Sequence, residues 1–186
     1  MRDLGQVWAA IPDAQAMRLE TAIGTIRRMD SLSQVVVSGN IAAAAQEVGV
    51  DPVGAGALGA VSGDRYSVRL ARDRLLIVST DGLSLTPGWH DDGYAVTDMS
   101  ALAVFEIDGQ LADEIVARAT TLPLSGPSPS ATVLFAGIST HLYRHTDHAS
   151  VRVHVDPSQA AYVWEWFNTV LPGADLFSAD GRKFPA

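Results

Sequence analysis

Several stretches of this 186-residue chain have the residue types and spacing of a chemical site. Gly54-Ala55-Gly56-Ala57-Leu58-Gly59 matches the glycine fingerprint that brings a pyrophosphate to a helix N-terminus. That chemistry needs a strand before the glycines and a helix opening within them. Here a helical stretch and Asp51-Pro52 precede, and Val61-Ser62-Gly63-Asp64 follows as a turn. The stretch therefore reads as a flexible surface loop. His141, His145 and His148 form a histidine cluster whose i, i+4 spacing would suit a metal on a helix. Thr140 to Arg144 reads as a strand, which sets His141 and His145 roughly 13 Å apart, too far to share an ion. His145, Asp147 and His148 fall in the following turn and could converge; the competing reading is a polar hairpin tip. Gly137-Ile138-Ser139-Thr140-His141 lacks the final glycine of a hydrolase nucleophile elbow. Asp91-Asp92, beside Trp89 and His90, reads as an exposed acidic turn or a small-ligand loop. Asp98, in Val96-Thr97-Asp98-Met99-Ser100, suits a carboxylate that bonds the backbone of a turn. No stretch combines a nucleophile, a base and an orienting group, so the expected catalytic, cofactor and metal residues of this chain are none.

The terminal helix carries the other functional signal. Asp156 is a good N-cap, Pro157 suits the first helical position, Gln159 completes a box-like start, and Pro172-Gly173 is the stop. Ala160, Val163, Trp164, Phe167 and Leu171 form one apolar stripe, which must face the core. Tyr162 and Trp166 form a second, rotated by about half a turn. Two readings compete for them: partial burial under the tail at Leu176-Phe177, or a subunit interface. Aromatic enrichment at interface cores favours the interface, so Tyr162 and Trp166 are its candidate residues.

The elements that must position these residues repeat. Gln34 to Val37 is a β-branched run, followed by a helix capped by Asn40 and stopped by Gly49. A Gly/Ala loop and two strands, Tyr66–Leu70 and Leu75–Val78, complete the unit. After the turn-rich Asp81–Gly93, Leu102 to Ile107 is again a strand, and the helix after it places Leu111, Ile115, Val116 and Ala119 on one face. A Pro/Ser/Gly loop then leads to a three-stranded meander at Thr132–Phe135, Thr140–Arg144 and Val151–Val155. This order predicts an α+β fold of two ferredoxin-like βαββ halves, with mostly antiparallel sheets and the terminal helix packed on one of them. The expected divisions are a weakly patterned arm or short helix over 1–30, halves over 31–98 and 99–171, and a tail over 172–186.

Bulk properties narrow the function. With 47% hydrophobic residues and 18% charged, the chain can bury a core. The net charge of −8 opposes nucleic-acid binding. The arginines at 65, 69, 72 and 74, interrupted by Asp64 and Asp73, read as a solvated face. The absence of cysteine excludes disulfides and thiolate chemistry. No apolar run reaches membrane-spanning length, so a soluble cytoplasmic protein is expected.

Against this background, the chain from about Val35 onward resembles the gamma subunit of heterotetrameric sarcosine oxidase, within the glycine-cleavage T-protein (aminomethyltransferase-like) fold group. Five stretches carry the resemblance: Arg74 to Val78, Val96 to Ser100, Leu122-Pro123-Leu124, Leu142-Tyr143-Arg144 and Ser158 to Trp166. The last, similar to the family's S-x-A-x-Y-L-W-x-W helix, is the most specific. Ser125 and Pro157 depart from the usual Asp and Arg, the cysteine common just before Leu122 is absent, and the first 30 residues match poorly. The resemblance implies a T-protein-like fold and a non-catalytic subunit with alpha, beta and delta partners. FAD, FMN, NAD, tetrahydrofolate and zinc would then be carried by those partners, and the complex would oxidise sarcosine or a related N-methyl amino acid. The alternative is a stand-alone folate-binding or aminomethyltransferase-like protein of the same fold, with Asp98 meeting the pterin.

Overall fold

The computed structural model describes Asp13 and residues 16–171. Residues 1–12, 14 and 15 of the early arm, the Pro172-Gly173 stop and the tail lie outside the described residues. In chain order the elements are β1 (Arg18–Thr21), β2 (Gly24–Met29), β3 (Ser33–Gly39), α1 (Ile41–Val48), β4 (Ala60–Val61), β5 (Arg65–Ala71), β6 (Arg74–Ser79), β7 (Gly88–His90), β8 (Tyr94–Asp98), β9 (Ala103–Asp108), α2 (Leu111–Ala119), β10 (Thr132–Phe135), β11 (Ile138–His145), β12 (Ser150–Val155) and α3 (Ala160–Val170). One sheet runs β1-β2-β9-β12-β11-β10, with β4 alongside β11; the other runs β5-β6-β3-β8-β7. Every ladder is antiparallel except β4 on β11, so the fold is α+β as expected.

Local rules account for the helices. The Asn40 side chain accepts from the Ala43 N–H, and Gly49 closes α1 in the left-handed region at φ 71°, a conformation glycine adopts without Cβ strain. α2 buries Leu111, Ile115, Val116 and Ala119, the predicted stripe. Before α3, the Asp156 carboxylate accepts from the Ser158 N–H across a single 3₁₀ turn at Pro157–Gln159.

The two halves are related element by element. In one, β3 leads into α1 and then pairs with β6; in the other, β9 leads into α2 and then pairs with β12. The other flank of each central strand is taken by a hairpin, and the hairpins are exchanged. β1–β2 precedes β3 in sequence yet pairs with β9, while β7–β8 precedes β9 yet pairs with β3. Residues 18–29, read from the sequence as part of an arm or short helix, are therefore a hairpin. Its strands are short and rich in charge, and what holds them is the ladder to β9, a partner some eighty positions away.

Four layers result. α1 covers one face of its sheet over Val35, Val37, Leu75 and Ile77; α2 and α3 cover one face of the other over Phe105, Ile107, Val151 and Val153. The remaining faces meet, with Tyr66, Val68, Leu76, Val78, Val104 and Tyr143 between them. β6 reads as an unbroken apolar run because both of its faces are buried.

The glycine-rich stretch is not a flexible surface loop, as its composition suggested. The Ala55 N–H donates to Ser67 O at 3.1 Å, Arg69 N–H to Ala55 O at 2.7 Å, Ala57 N–H to Ser130 O at 3.0 Å and Arg144 N–H to Gly59 O at 2.9 Å. Ala57 and Leu58 are buried. A Cβ on Gly56 would lie 1.7 Å from Ser128 O, and one on Gly54 would lie 2.9 Å from Arg69 N. These glycines admit the chain's own backbone, not a pyrophosphate. Two of the four arginines read as a solvated face also pin this region: Arg69 donates to Val53 O and Pro52 O, and Arg65 to Val48 O. Urea denaturation of two variants tests the close approach. Gly56→Ala should lose about 1–3 kcal/mol through overpacking. Gly126→Ala, whose Cβ meets nothing within 4 Å, should be neutral or gain up to about 1 kcal/mol.

Candidate functional site

A polar cluster lies between the two sheets, buried except at Arg27. It starts as a cross-strand row: Arg27 on β2 stands opposite Glu106 on β9, Glu106 opposite Arg152 on β12, and Arg152 opposite Tyr143 on β11. The Glu106 carboxylate takes Arg27 Nη2–H on Oε1 at 2.5 Å and Arg152 Nε–H on Oε2 at 2.8 Å. Both the Glu106 and Arg152 side chains are 2% exposed, whereas Arg27 reaches solvent. The facing sheet then enters. Arg152 Nη1–H donates to the Tyr66 hydroxyl at 2.7 Å, the Tyr66 and Tyr143 hydroxyls lie 2.8 Å apart, and the Tyr143 hydroxyl lies 2.6 Å from His154 Nε2. His154 Nδ1 sits 2.6 Å from Gln34 Oε1 on β3.

Donor and acceptor chemistry orients every proton. Gln34 Nε2–H donates to the Leu102 carbonyl at 3.2 Å, which turns Oε1 toward His154. His154 must then carry its proton on Nδ1, leaving Nε2 to accept from Tyr143. Tyr143 accepts from Tyr66, and Tyr66 accepts from a guanidinium that can only donate. One unidirectional chain therefore runs from Arg152 through Tyr66, Tyr143 and His154 to Gln34. Burial, with His141 and Arg152 nearby, holds the His154 imidazole well below the ordinary histidine range. Burial alone would raise Glu106, but hydrogen bonds from Arg27 and Arg152 hold it below the usual carboxylate range. Burial pushes both tyrosines up, Tyr143 furthest. The depressed histidine contributes stability above its unfolded pKa of about 6.5 that is lost as pH falls. Glu106 likewise contributes above about 4.3 and loses it on further acidification. Both make the fold sensitive to acid.

A tyrosine–histidine–carboxylate set invites a catalytic reading, but Tyr143, His154 and Glu106 are closed within the seam, and Tyr66 alone borders a cavity. A 250 Å³ cavity beside it is lined by Asp51, Val61, Arg65, Tyr66 and Ser67, and an open cleft of about 600 Å³ by Val53, Gly56, Arg69 and Ser128. Asp51 and Ser67 are engaged there, the Ser67 hydroxyl donating to Asp51 O and the Asp51 carboxylate accepting from Val53 N–H.

The residues singled out by sequence are not brought together. His141 and His145 share a face of β11 with Tyr143 between them; His141 lies 3.2 Å from the Thr132 hydroxyl, and buried His145 lies 3.3 Å from Gly63 O. The His148 side chain lies outside the described residues, and no group of three potential ligands is found among those described. Asp98 is exposed, and its carboxylate accepts from Ser100 N–H at 2.9 Å, the turn role expected of it. Asp91 and Asp92 are exposed, and Asp92 O accepts from Asn40 Nδ2–H. His90 stacks on Tyr94, whose hydroxyl, donated to Glu47, is pushed up to about 12 by that bond. Trp89, on the edge strand β7, is 76% exposed.

On α3, Ala160, Val163, Trp164 and Phe167 are buried as their spacing predicts. The second aromatic pair divides. Tyr162 is 51% exposed, and its hydroxyl donates to Ala136 O at 2.8 Å. Trp166 is half-buried, with its ring edge-on to Phe135 at 5.6 Å and Phe167 at 5.7 Å. Trp166 thus belongs partly to its own domain's core. The inter-sheet chain escaped sequence reading; its only local signal is the alternation of Val with Arg and His along β12.

No protein-family model matches this chain, and no curated protein does. Among solved structures, a chain of the heterotetrameric sarcosine oxidase from Corynebacterium sp. U-96, determined in complex with pyrrole 2-carboxylate, matches with a TM-score of 0.59. The match covers 93% of both chains at 17% identity. The two share a fold along nearly their whole lengths. Among the described residues, no helix is long and apolar enough to cross a membrane.

The polar seam makes a graded prediction. Glu106→Gln leaves Arg152 buried without its counter-charge and should cost about 3–5 kcal/mol. Tyr143→Phe leaves His154 Nε2 without a donor and the Tyr66 O–H without an acceptor, and should cost about 1–3 kcal/mol. Chemical denaturation of both variants beside the wild type measures the order.

Proposed function

We propose that this chain is a non-catalytic, gamma-like subunit of a cytoplasmic, heterotetrameric flavoenzyme complex of the sarcosine-oxidase type. Its role is assembly and stability. The complex oxidises sarcosine or a related N-methyl amino acid. It does so at FAD and passes the one-carbon fragment to tetrahydrofolate. Alpha-, beta- and delta-like partners carry FAD, FMN, NAD, the folate site and zinc.

The observation that supports this reading most is the length-matched fold likeness: 93% of each chain is covered. The closed chemistry of the chain points the same way. Tyr66, Tyr143 and His154 are hydrogen-bonded in a row between the sheets and Glu106 is held by two arginines, leaving no nucleophile–base pair beside an open cavity among the described residues. Tyr162, exposed on the outer flank of α3 and tied to the Ala136 turn, supplies a rigid aromatic contact for a partner, with the half-buried Trp166 one turn further on.

Co-expression with the flavin-containing subunits, followed by size exclusion with absorbance at 450 nm, is the test. This chain should elute with the flavin. A monodisperse monomer that never co-elutes with a flavin-containing subunit overturns the reading. Three variants separate folding from assembly. Trp164→Ala should destabilise the fold by about 3–5 kcal/mol. Trp166→Ala, losing a half-buried ring, should cost the fold about 1–3 kcal/mol. Tyr162→Ala should leave the fold near intact and weaken assembly about tenfold or more.

A further inference from the structure

The inter-sheet hydrogen-bond chain has only one consistent direction. It ends at one side in a guanidinium, which only donates, and at the other in a glutamine carbonyl, which only accepts. The neutral histidine in between passes the direction on: it donates from Nδ1 to β3 of one sheet and accepts at Nε2 from β11 of the other.

A second proton on His154 breaks that direction. Nε2–H would need an acceptor, and the atom facing it is the Tyr143 oxygen. Tyr143 would then turn its own proton to the Tyr66 oxygen, which already receives Arg152 Nη1–H. The Tyr66 proton would be left facing a guanidinium, a buried donor without an acceptor. The added positive charge would also meet no free counter-charge. Facing His154 are Arg152 on its own strand, Tyr143 and His141 on β11, Tyr66 on β5 and neutral Gln34 on β3. The carboxylate of Glu106 on β9 is already shared between Arg152 and Arg27 of β2. Water entering the seam would relieve both penalties.

We propose that the seam is an acid-operated latch: proton uptake at His154 reverses the demand on Tyr143 and parts the two sheets locally, while each helix-backed core stays closed. Among the described residues the two helix-side cores contain no histidine, and His90 meets only the rim of one of them, where it stacks on Tyr94.

Amide hydrogen exchange on the full chain between pH 7.5 and 5.0, corrected for intrinsic rates, tests this. The Ala131 N–H donates to Arg69 O across the two sheets at 2.7 Å and reports the seam. Amides inside α1 and α2 report the cores. Opening coupled to one proton should lower Ala131 protection about tenfold per pH unit below about 6.5, with the helix amides unchanged. His154→Gln, which keeps a neutral acceptor and donor, should abolish the response, and His141→Asn should retain it. Seam and helix amides losing protection together, a response that survives in His154→Gln, or one that vanishes in His141→Asn would each overturn the proposal. If His154→Gln does not fold, ¹⁵N spectra of the wild-type imidazoles decide. The latch requires seam opening to follow the titration of His154, and opening that follows another histidine, or none, rejects it.

Discussion

Glu106, held between two guanidiniums in the space where the sheets meet, is the constraint around which this molecule is arranged. Moving a carboxylate and an arginine out of water is costly, and their mutual attraction offsets that only with full hydrogen bonding. The cross-strand row supplies it: Arg27, Glu106, Arg152 and Tyr143 stand opposite one another on four adjacent strands. Because side chains alternate faces, a slip of one residue in any of these ladders would carry a charge into the Phe105–Val153 core beneath α2 and α3. The row contributes register more than net stability. An apolar row of the same shape would pair in several registers with similar energy.

The seam also ties together parts of the chain that local structure would leave independent. β1–β2 completes the sheet of the second half, and β7–β8 completes the sheet of the first. The first half closes its sheet within residues 33–98, whereas the sheet of the second half is completed by β1–β2 from the beginning of the chain and by β4 from the first half. The exchanged hairpins connect the edges while the hydrogen-bonded tyrosines, histidine and glutamine connect the faces. Each half thereby depends on the other, consistent with a molecule in which the segment around Ala55 to Val61 bonds to β5 on one side and β11 on the other.

Legibility in the sequence followed the range of the forces. The Asn40 cap, the Gly49 stop, the α2 stripe, the β5–β6 hairpin, the meander and the buried stripe of α3 were all readable because neighbours within a few positions decide them. β1–β2 was not, since its short charged strands are held by β9. Nor was the glycine stretch, because the atoms that demand glycine at position 56 belong to Ser128. Trp166 was assigned to an outer stripe by angle around the helix, yet Phe135, contributed by a distant strand, half-covers it. The polar seam was least legible. Ser150-Val151-Arg152-Val153-His154-Val155 alternates like a strand with one wet face, whereas every one of these residues is buried. Arg152 is satisfied by Glu106 and Tyr66, and His154 by Tyr143 and Gln34; Glu106, Tyr66 and Gln34 all stand far away in sequence.

The same reasoning explains how residues common in active sites come to serve architecture. A catalytic acid or base must have an unfilled valence toward a substrate. In the seam, the tyrosine and histidine protons are already assigned to acceptors, and the carboxylate already holds two cations. Such closure makes a rigid, well-determined slab whose outer features are set by its interior. The exposed face of Tyr162 is an example: its hydroxyl is anchored to the Ala136 turn, which follows Phe135, and Phe135 is locked against Phe167 in the core. An aromatic ring held this way would lose little conformational freedom on being covered, which is the physical advantage that the docking role proposed for Tyr162 would draw on.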